Sequence, residues 1–351
     1  MKKLIYCMAA LGALIFAASC AEDGLDVTGK TTEVTFSVAA PSSIQSKANT
    51  DANGESTIAN GLNTDILFYE IYDKNDGTEK LLGEGKEFGK VNVNDGKMTF
   101  EFTLDLVIDQ EYHILFWAHD SKNGKKYYNV TDLRKIKIED NYEGFLANDE
   151  SRAAFYAYHP FKATVDGGLQ EVKLTRPFAQ LNIGTDRLES SLTDPIIVKT
   201  TTVTISNVAN VFNTFTGLGS LDLEEGVTEL AASFEAAATP HGETIDNEYQ
   251  LLNVKNTDYH WLGMNYILVE GVQDTADEVS MEIVTNAGTV NHTVPTVPLR
   301  QNYRTNLIGN LLTTGVEFNV VVDKLFESDR DGATEKDYIW DYSTQSWNKT
   351  N

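Results

Sequence analysis

The residues able to do chemistry are few, and their spacing is unhelpful for catalysis. Cys7 and Cys20 are the two cysteines of the 351-residue chain, and both fall within its first twenty positions. Neither can staple a core. There is no H-E-x-x-H pair, no G-x-S-x-G elbow and no glycine-rich phosphate loop. His113, His119, His159, His241, His260 and His292 are scattered without ligand spacing. His113 and His119 project from one face of a strand but stand about 20 Å apart, at roughly 3.3 Å per residue, too far to share a metal. Glu327, Asp329 and Asp331 ahead of Gly332 imitate an oxygen-ligand calcium loop. That loop needs Asp first and a bidentate Glu at its twelfth position, where Tyr338 stands, so a solvated acidic turn is expected. No apolar setting that would raise one carboxyl pKa for glycoside hydrolysis can be recognised in the sequence, and the acids are expected at the surface. Trp261, Trp340 and Trp347 could stack on a sugar, but tryptophans of a β-rich chain are expected in the core. The sequence therefore predicts no enzyme, no cofactor and no metal site.

Cys20 asks for a different chemistry. Lys2 and Lys3 precede the apolar run LIYCMAALGALIFAA, which closes on Ala17, Ala18 and Ser19. A charged end, a short apolar run and small residues make an export signal. At about 15 residues the run is shorter than the roughly 20 a spanning helix needs. Small residues immediately before a cysteine resemble the lipobox of bacterial lipoproteins, in which residues 1–19 are removed and the cysteine is acylated. Two or three acyl chains, at about 0.8 kcal/mol per buried CH₂, hold a protein at a membrane without any spanning helix. Glu22 and Asp23 directly after Cys20 resemble a surface-export signature, so contact with the membrane is expected only through the lipid.

The rest of the chain must supply stability without disulfides. Its 52 acidic against 28 basic residues give a formal charge of −24, which repels nucleic acid and keeps an exposed protein soluble. From residue 31 onward the dominant period is two. TTEVTFSVAAP sets Val34, Phe36, Val38 and Ala40 against Glu33, Thr35 and Ser37, and KMTFEFTLDL alternates as strictly. YHILFWAHD is apolar on both faces, as a central strand covered on both sides should be. Turn residues separate these runs at 75–77, 94–96, 123–124, 166–168 and 286–288. Helical patterning is confined to VTELAASFEAAAT (227–239) and VTDLRKI (130–136). Many strands without crossover helices predict an all-β chain of antiparallel sandwiches with few short helices. Its 332 residues beyond the signal suit two domains, bounded near TVDGGLQ: 20–175, and 176–351 with a distinct tail at 323–351.

In order, SCAED, YHILFWAHD, LANDESRAAFYAY, KLTRPFAQLNIGT and PLRQNYRTNLIGNLLT followed by VEFNVVVD resemble the Bacteroidales fimbrillin-like family, the subunits of type V pili. The resemblance runs from Cys20 to about residue 323. It implies two tandem transthyretin-like sandwiches, delivered to the outer face of the outer membrane as a lipoprotein. In shaft subunits of the family a protease removes the anchor with the first strand, and a C-terminal segment of the next subunit fills the groove. Here EVTFSVAA would be the removable strand. The first arginine is Arg134, so either a trypsin-like protease cuts after Lys47 or the subunit is never cut and stays attached. The tail KDYIWDYSTQSW is either a donor strand or the last strand of its own domain. Shaft, tip and anchor roles all remain open, with other fimbrial subunits as partners and surface glycans or proteins as receptors. The other function in view is a surface glycan-binding lipoprotein of a nutrient-uptake system.

Overall fold

A computed structural model describes residues 29–41, 61–73, 80–92, 97–186, 196–237, 251–255, 257–271, 273–312, 318–323, 338–341 and 346–349. Cys20, Lys47, His241 and the acidic stretch 327–337 lie outside the described residues, as do the side chains of Trp340 and Trp347.

The first half supplies β1 (Thr31–Ala39), β2 (Ile66–Asp73), β3 (Lys80–Phe88), β4 (Lys90–Val91), β5 (Met98–Val107), β6 (Glu111–His119), β7 (Tyr128–Asn129), β8 (Ile136–Ile138), β9 (Ala154–Lys162) and β10 (Gly168–Lys173). Two four-stranded sheets, ordered β10-β1-β5-β4 and β3-β2-β6-β9, face each other. The alternating apolar positions of β1 and β5 point between them. Phe116 of β6 meets Phe36 and Phe102 there, at ring distances of 6.2 and 6.4 Å. β6 is buried along both faces as its sequence predicts. Trp117 turns the other way, onto Phe178, Phe212 and Tyr128.

The second half supplies β11 (Ala179–Thr185), β12 (Val198–Ile205), β13 (Val211–Asn213), β14 (Leu218–Ser220), β15 (Ala232–Ala237), β16 (Leu251–Val254), β17 (Thr257–Ile267), β18 (Gln273–Thr285), β19 (Gly288–Arg300), β20 (Arg304–Gly309), β21 (Phe318–Asp323), β22 (Tyr338–Asp341) and β23 (Ser346–Lys349). Its sheets run β16-β17-β11-β20-β21 and β15-β12-β18-β19, with β22 paired to β23. The result is the expected all-β sandwich architecture. A ribbon ordered β14-β13-β8-β7 joins residues from either side of position 175, and one contiguous apolar core runs through both halves. Among the described residues no helix is long and apolar enough to cross a membrane.

Two expectations fail for identifiable reasons. The helix expected at 227–239 is instead β15. Ala232, Phe234 and Ala236 alternate inward and the strand pairs antiparallel with β12, so packing overrides the helix propensity of its alanines. Residues 130–136 are also not helical. The Leu133 amide donates to Glu70 Oε1 (3.0 Å) and the Arg134 amide to Asp132 Oδ1 (2.8 Å), diverting two donors from any helical ladder. Within EVKLTRPFAQLNIG, Pro177, with no amide hydrogen, falls between β10 and β11.

His119 gives the fold a pH dependence. It is 1% exposed, accepts a hydrogen bond from Trp117 Nε1 at 3.2 Å, and Gly124 packs against its ring. Burial pushes its pKa down to about 4, against the upward pull of Asp120 and Asp65. A folded pKa below the unfolded value means that the unfolded chain binds the proton first. Stability is therefore whole above pH 6.5 and drains as pH falls toward 4, by about 3 kcal/mol from this group. Between pH 7 and 4.5, His119→Gln is expected to lose less stability than the wild type in urea titrations. Parallel losses would show that His119 is not the titrating group.

Candidate functional site

The described region with the clearest potential for function is the slot that β1 occupies. Although it is the first strand, β1 is internal to its sheet. It pairs parallel with β10 over six residues, from Val34↔Gly168 to Ala39↔Lys173, and antiparallel with β5 over nine, from Thr31↔Val107 to Ala39↔Thr99. Val34, Phe36, Val38 and Ala40 are all fully buried. At 1.5–3 kcal/mol for a buried apolar side chain, the first three dominate what holds the strand.

Phe36 sits in an aromatic socket. Phe102 stacks on it at 5.4 Å, Phe161 and His159 meet it edge-on at 6.0 and 6.2 Å, and Phe116 tilts against it from the facing sheet. Phe102 is backed in turn by Tyr69, stacked 4.6 Å away with its ring nearly parallel. His159 lies close to Gln170 Oε1 (3.4 Å), and burial lowers its pKa. In this setting it is a packing residue.

Both ends of the slot are tied by backbone. At the entry the Ile108 amide donates to Lys30 O (2.8 Å); at the exit the Ala40 amide donates to Met98 O and the Leu174 amide to Ala39 O, both at 2.9 Å. Pro41 then ends the pairing for lack of an amide hydrogen. Gly61 returns against this point, and a Cβ there would collide with the Pro41 carbonyl oxygen. The chain therefore leaves at Pro41 and re-enters beside it at Gly61. Gly61→Ala is expected to cost about 1–3 kcal/mol as an overpacked close approach, read as a lowered midpoint of chemical unfolding. An unchanged midpoint would mean that the two ends are not pressed together.

Most other residues singled out by chemistry are structural where described. His113 bonds the Tyr158 hydroxyl at 2.6 Å and stacks on Phe215, His292 Nε2 bonds Leu311 O at 2.7 Å, and Trp261 is buried with its indole donating to Gly263 O at 3.0 Å. His260 is half-buried on β17. Among the described residues no cluster of three or more His, Cys, Asp or Glu could hold a metal. Sequence reasoning missed residues 139–152, which bond to the part of β17 that β16 leaves uncovered. The Asn148 amide donates to Met264 O (2.8 Å) and its side chain accepts the Met264 amide (2.7 Å). Tyr142 accepts the Leu268 amide and donates to Ala209 O. The signal was present in LANDESRAAFYAY as an arginine among apolar residues, a type that enters a core only with partners: Arg152 is buried, and Asn148 beside it is half-buried.

Residues 26–348 match the model of a family described as a family of unknown function, DUF6562. No curated protein sequence matches the chain. Similar solved structures include a fimbrial assembly protein from Parabacteroides distasonis, at 12% identity over 84% of this chain and 99% of that one, with a TM-score of 0.43. The tip fimbrial protein Mfa3 from Porphyromonas gingivalis, with a C-terminal truncation, is 12% identical over 83% and 99%, with a TM-score of 0.43. A candidate cell adhesion protein from Bacteroides uniformis is 12% identical over 83% and 97%, with a TM-score of 0.47.

Proposed function

The chain belongs to the family DUF6562, and we propose that it is a structural and adhesive subunit of a cell-surface fimbria, exported as a lipoprotein and assembled by strand addition. Cys20 carries the acyl chains that hold the precursor at the outer face of the outer membrane. Residues 20–175 and 176–351 form tandem sandwich domains. Maturation, where it occurs, cuts after Lys47 and frees β1. A strand from the C-terminal part of a neighbouring subunit then takes its place, making other subunits the principal partners.

One observation carries this reading. The first strand of the fold is an internal strand, and the stretch that follows it leaves and re-enters at one point. A cut within 42–60 severs β1 from the remainder without breaking any described strand, and loss of β1 would leave the inner edges of β5 and β10 facing a gap. A sheet missing one strand offers unpaired backbone and an apolar trough together, the two things an added strand can satisfy.

The test is intact mass and N-terminal sequencing of native protein taken from cell surfaces. An acylated Cys20 marks a tethered subunit and a start at Ala48 a matured one. An unmodified chain free in the periplasm would refute the proposal.

A further inference from the structure

Strand addition leaves open which strand the slot accepts and in what register. Alternation alone cannot decide. A one-residue slip turns every side chain to the wrong face, but a two-residue slip keeps the pattern. What breaks that degeneracy is size. Of the four inward residues of β1 only Phe36 is aromatic, and its ring sits among those of Phe102, Phe116, Phe161 and His159. A slip by two would drive a valine into the socket and a phenyl ring into a fully buried valine site.

Resting on the strand-addition reading above, we infer that Phe36 is the register key of the slot and that the strand admitted in its place is residues 316–322 of a second copy, not the aromatic tail. Val316, Phe318, Val320 and Val322 repeat the inward order of Val34, Phe36, Val38 and Ala40, with polar Glu317 and Asn319 in the outward places of Thr35 and Ser37. In the same alignment Asp323 falls at Pro41, beside a cleft of about 230 Å³ whose lining includes Lys97, Lys173 and Glu171. The tail offers Tyr338, Trp340 and Tyr342 at the same spacing. With Trp340 in the socket, two tyrosines would stand where fully buried valines fit, which overpacks the core. Backbone pairing favours the same donor. In its own sheet β21 has six register pairs with β20, and its valines are half-buried. Over the aligned positions, Val34 to Ala39, the slot offers six pairs with β10 and six with β5, together with complete burial of the inward side chains. Once β1 has left, moving 316–322 into the slot of a neighbour exchanges one-sided for two-sided pairing, as in a swap of an edge strand between identical chains.

The experiment keeps the whole chain. Full-length protein carrying a site-specific protease sequence in place of residues 46–49 is folded and then cut, and labelled peptides compete with the N-terminal fragment. Peptides of residues 31–41 and 314–323 are expected to displace it, and their Phe36→Ala and Phe318→Ala versions to bind at least a hundredfold more weakly. A peptide of residues 336–345 is expected not to enter. Equal binding by the alanine versions, or entry of the 336–345 peptide as readily as 314–323, would overturn the selectivity inferred here while leaving strand addition standing. A fragment that no peptide can displace would overturn strand addition itself, and this inference with it.

Discussion

Phe36→Ala in the intact, uncut chain is expected to lower the free energy of unfolding by about 3–5 kcal/mol, the usual cost of deleting a fully buried phenyl ring. The loss falls at the upper end of that range. The ring is fully buried, and its neighbours Phe102 and Phe116 are themselves fixed, the former by the stacked Tyr69 and the latter within a strand paired on both sides. Such surroundings collapse little into a vacated space, and each lost aromatic contact adds about 0.5–1.5 kcal/mol beyond area burial. Denaturant titration followed by circular dichroism measures the change. The contrast with Val34→Ala is informative: the smaller side chain should cost distinctly less, and a similar cost would show that the socket contributes nothing beyond burial. Sheet content should survive in both variants, because β5, β2, β6 and β9 retain their own partners.

How much of this was legible in the sequence depends on the kind of interaction. Period-two alternation located β1, β5 and the doubly buried β6, because side-chain direction along a strand is a local property. That β1 lies between β5 and β10 was not legible, since it is set by pairing partners up to 134 residues away. Alanine-rich β15 was misread because its local propensity and its tertiary role conflict, and burial of Phe234 decides between them. The distinctive segments resolve into buried polar devices. Asn182 of KLTRPFAQLNIGT donates to Asn306 at 2.8 Å, and Gln301 of PLRQNYRTNLIGN donates to Gly217 O and Gly271 O at 3.1 and 3.0 Å. A core can absorb an exchange of valine for isoleucine, but a buried amide has to meet particular backbone groups. Such residues therefore mark a fold more sharply than its hydrophobic pattern does, while saying nothing of receptor or reaction.

Arg152→Ala is expected to destabilise the chain by about 3 kcal/mol, although the residue touches neither the slot nor the surface. It is 2% exposed; its guanidinium donates to Leu146 O at 3.1 Å and to Tyr266 O at 2.6 Å, and lies 4.7 Å from the Phe234 ring centroid and 5.1 Å from that of Phe145. Tyr266 belongs to β17, whereas Leu146 and Arg152 come from residues that precede position 175, so this side chain fastens the closing segment to the edge of the second half. Its removal takes the donor from the Leu146 carbonyl and from the buried Tyr266 carbonyl, at about 1–3 kcal/mol for an unsatisfied buried group, and opens a cavity between aromatic faces. Arg152→Met separates the two contributions: it refills much of the volume but leaves both oxygens unpaired, so it should recover part of the loss and no more. The location of the effect is as diagnostic as its size. Hydrogen exchange should quicken first at the Met264 and Leu268 amides, whose acceptors are Asn148 and Tyr142 of that segment, while the β1 amides facing β5 stay protected. Protection lost equally across both halves would instead mean that the two sandwiches open as one cooperative unit, and that the segment does not act as a local clasp.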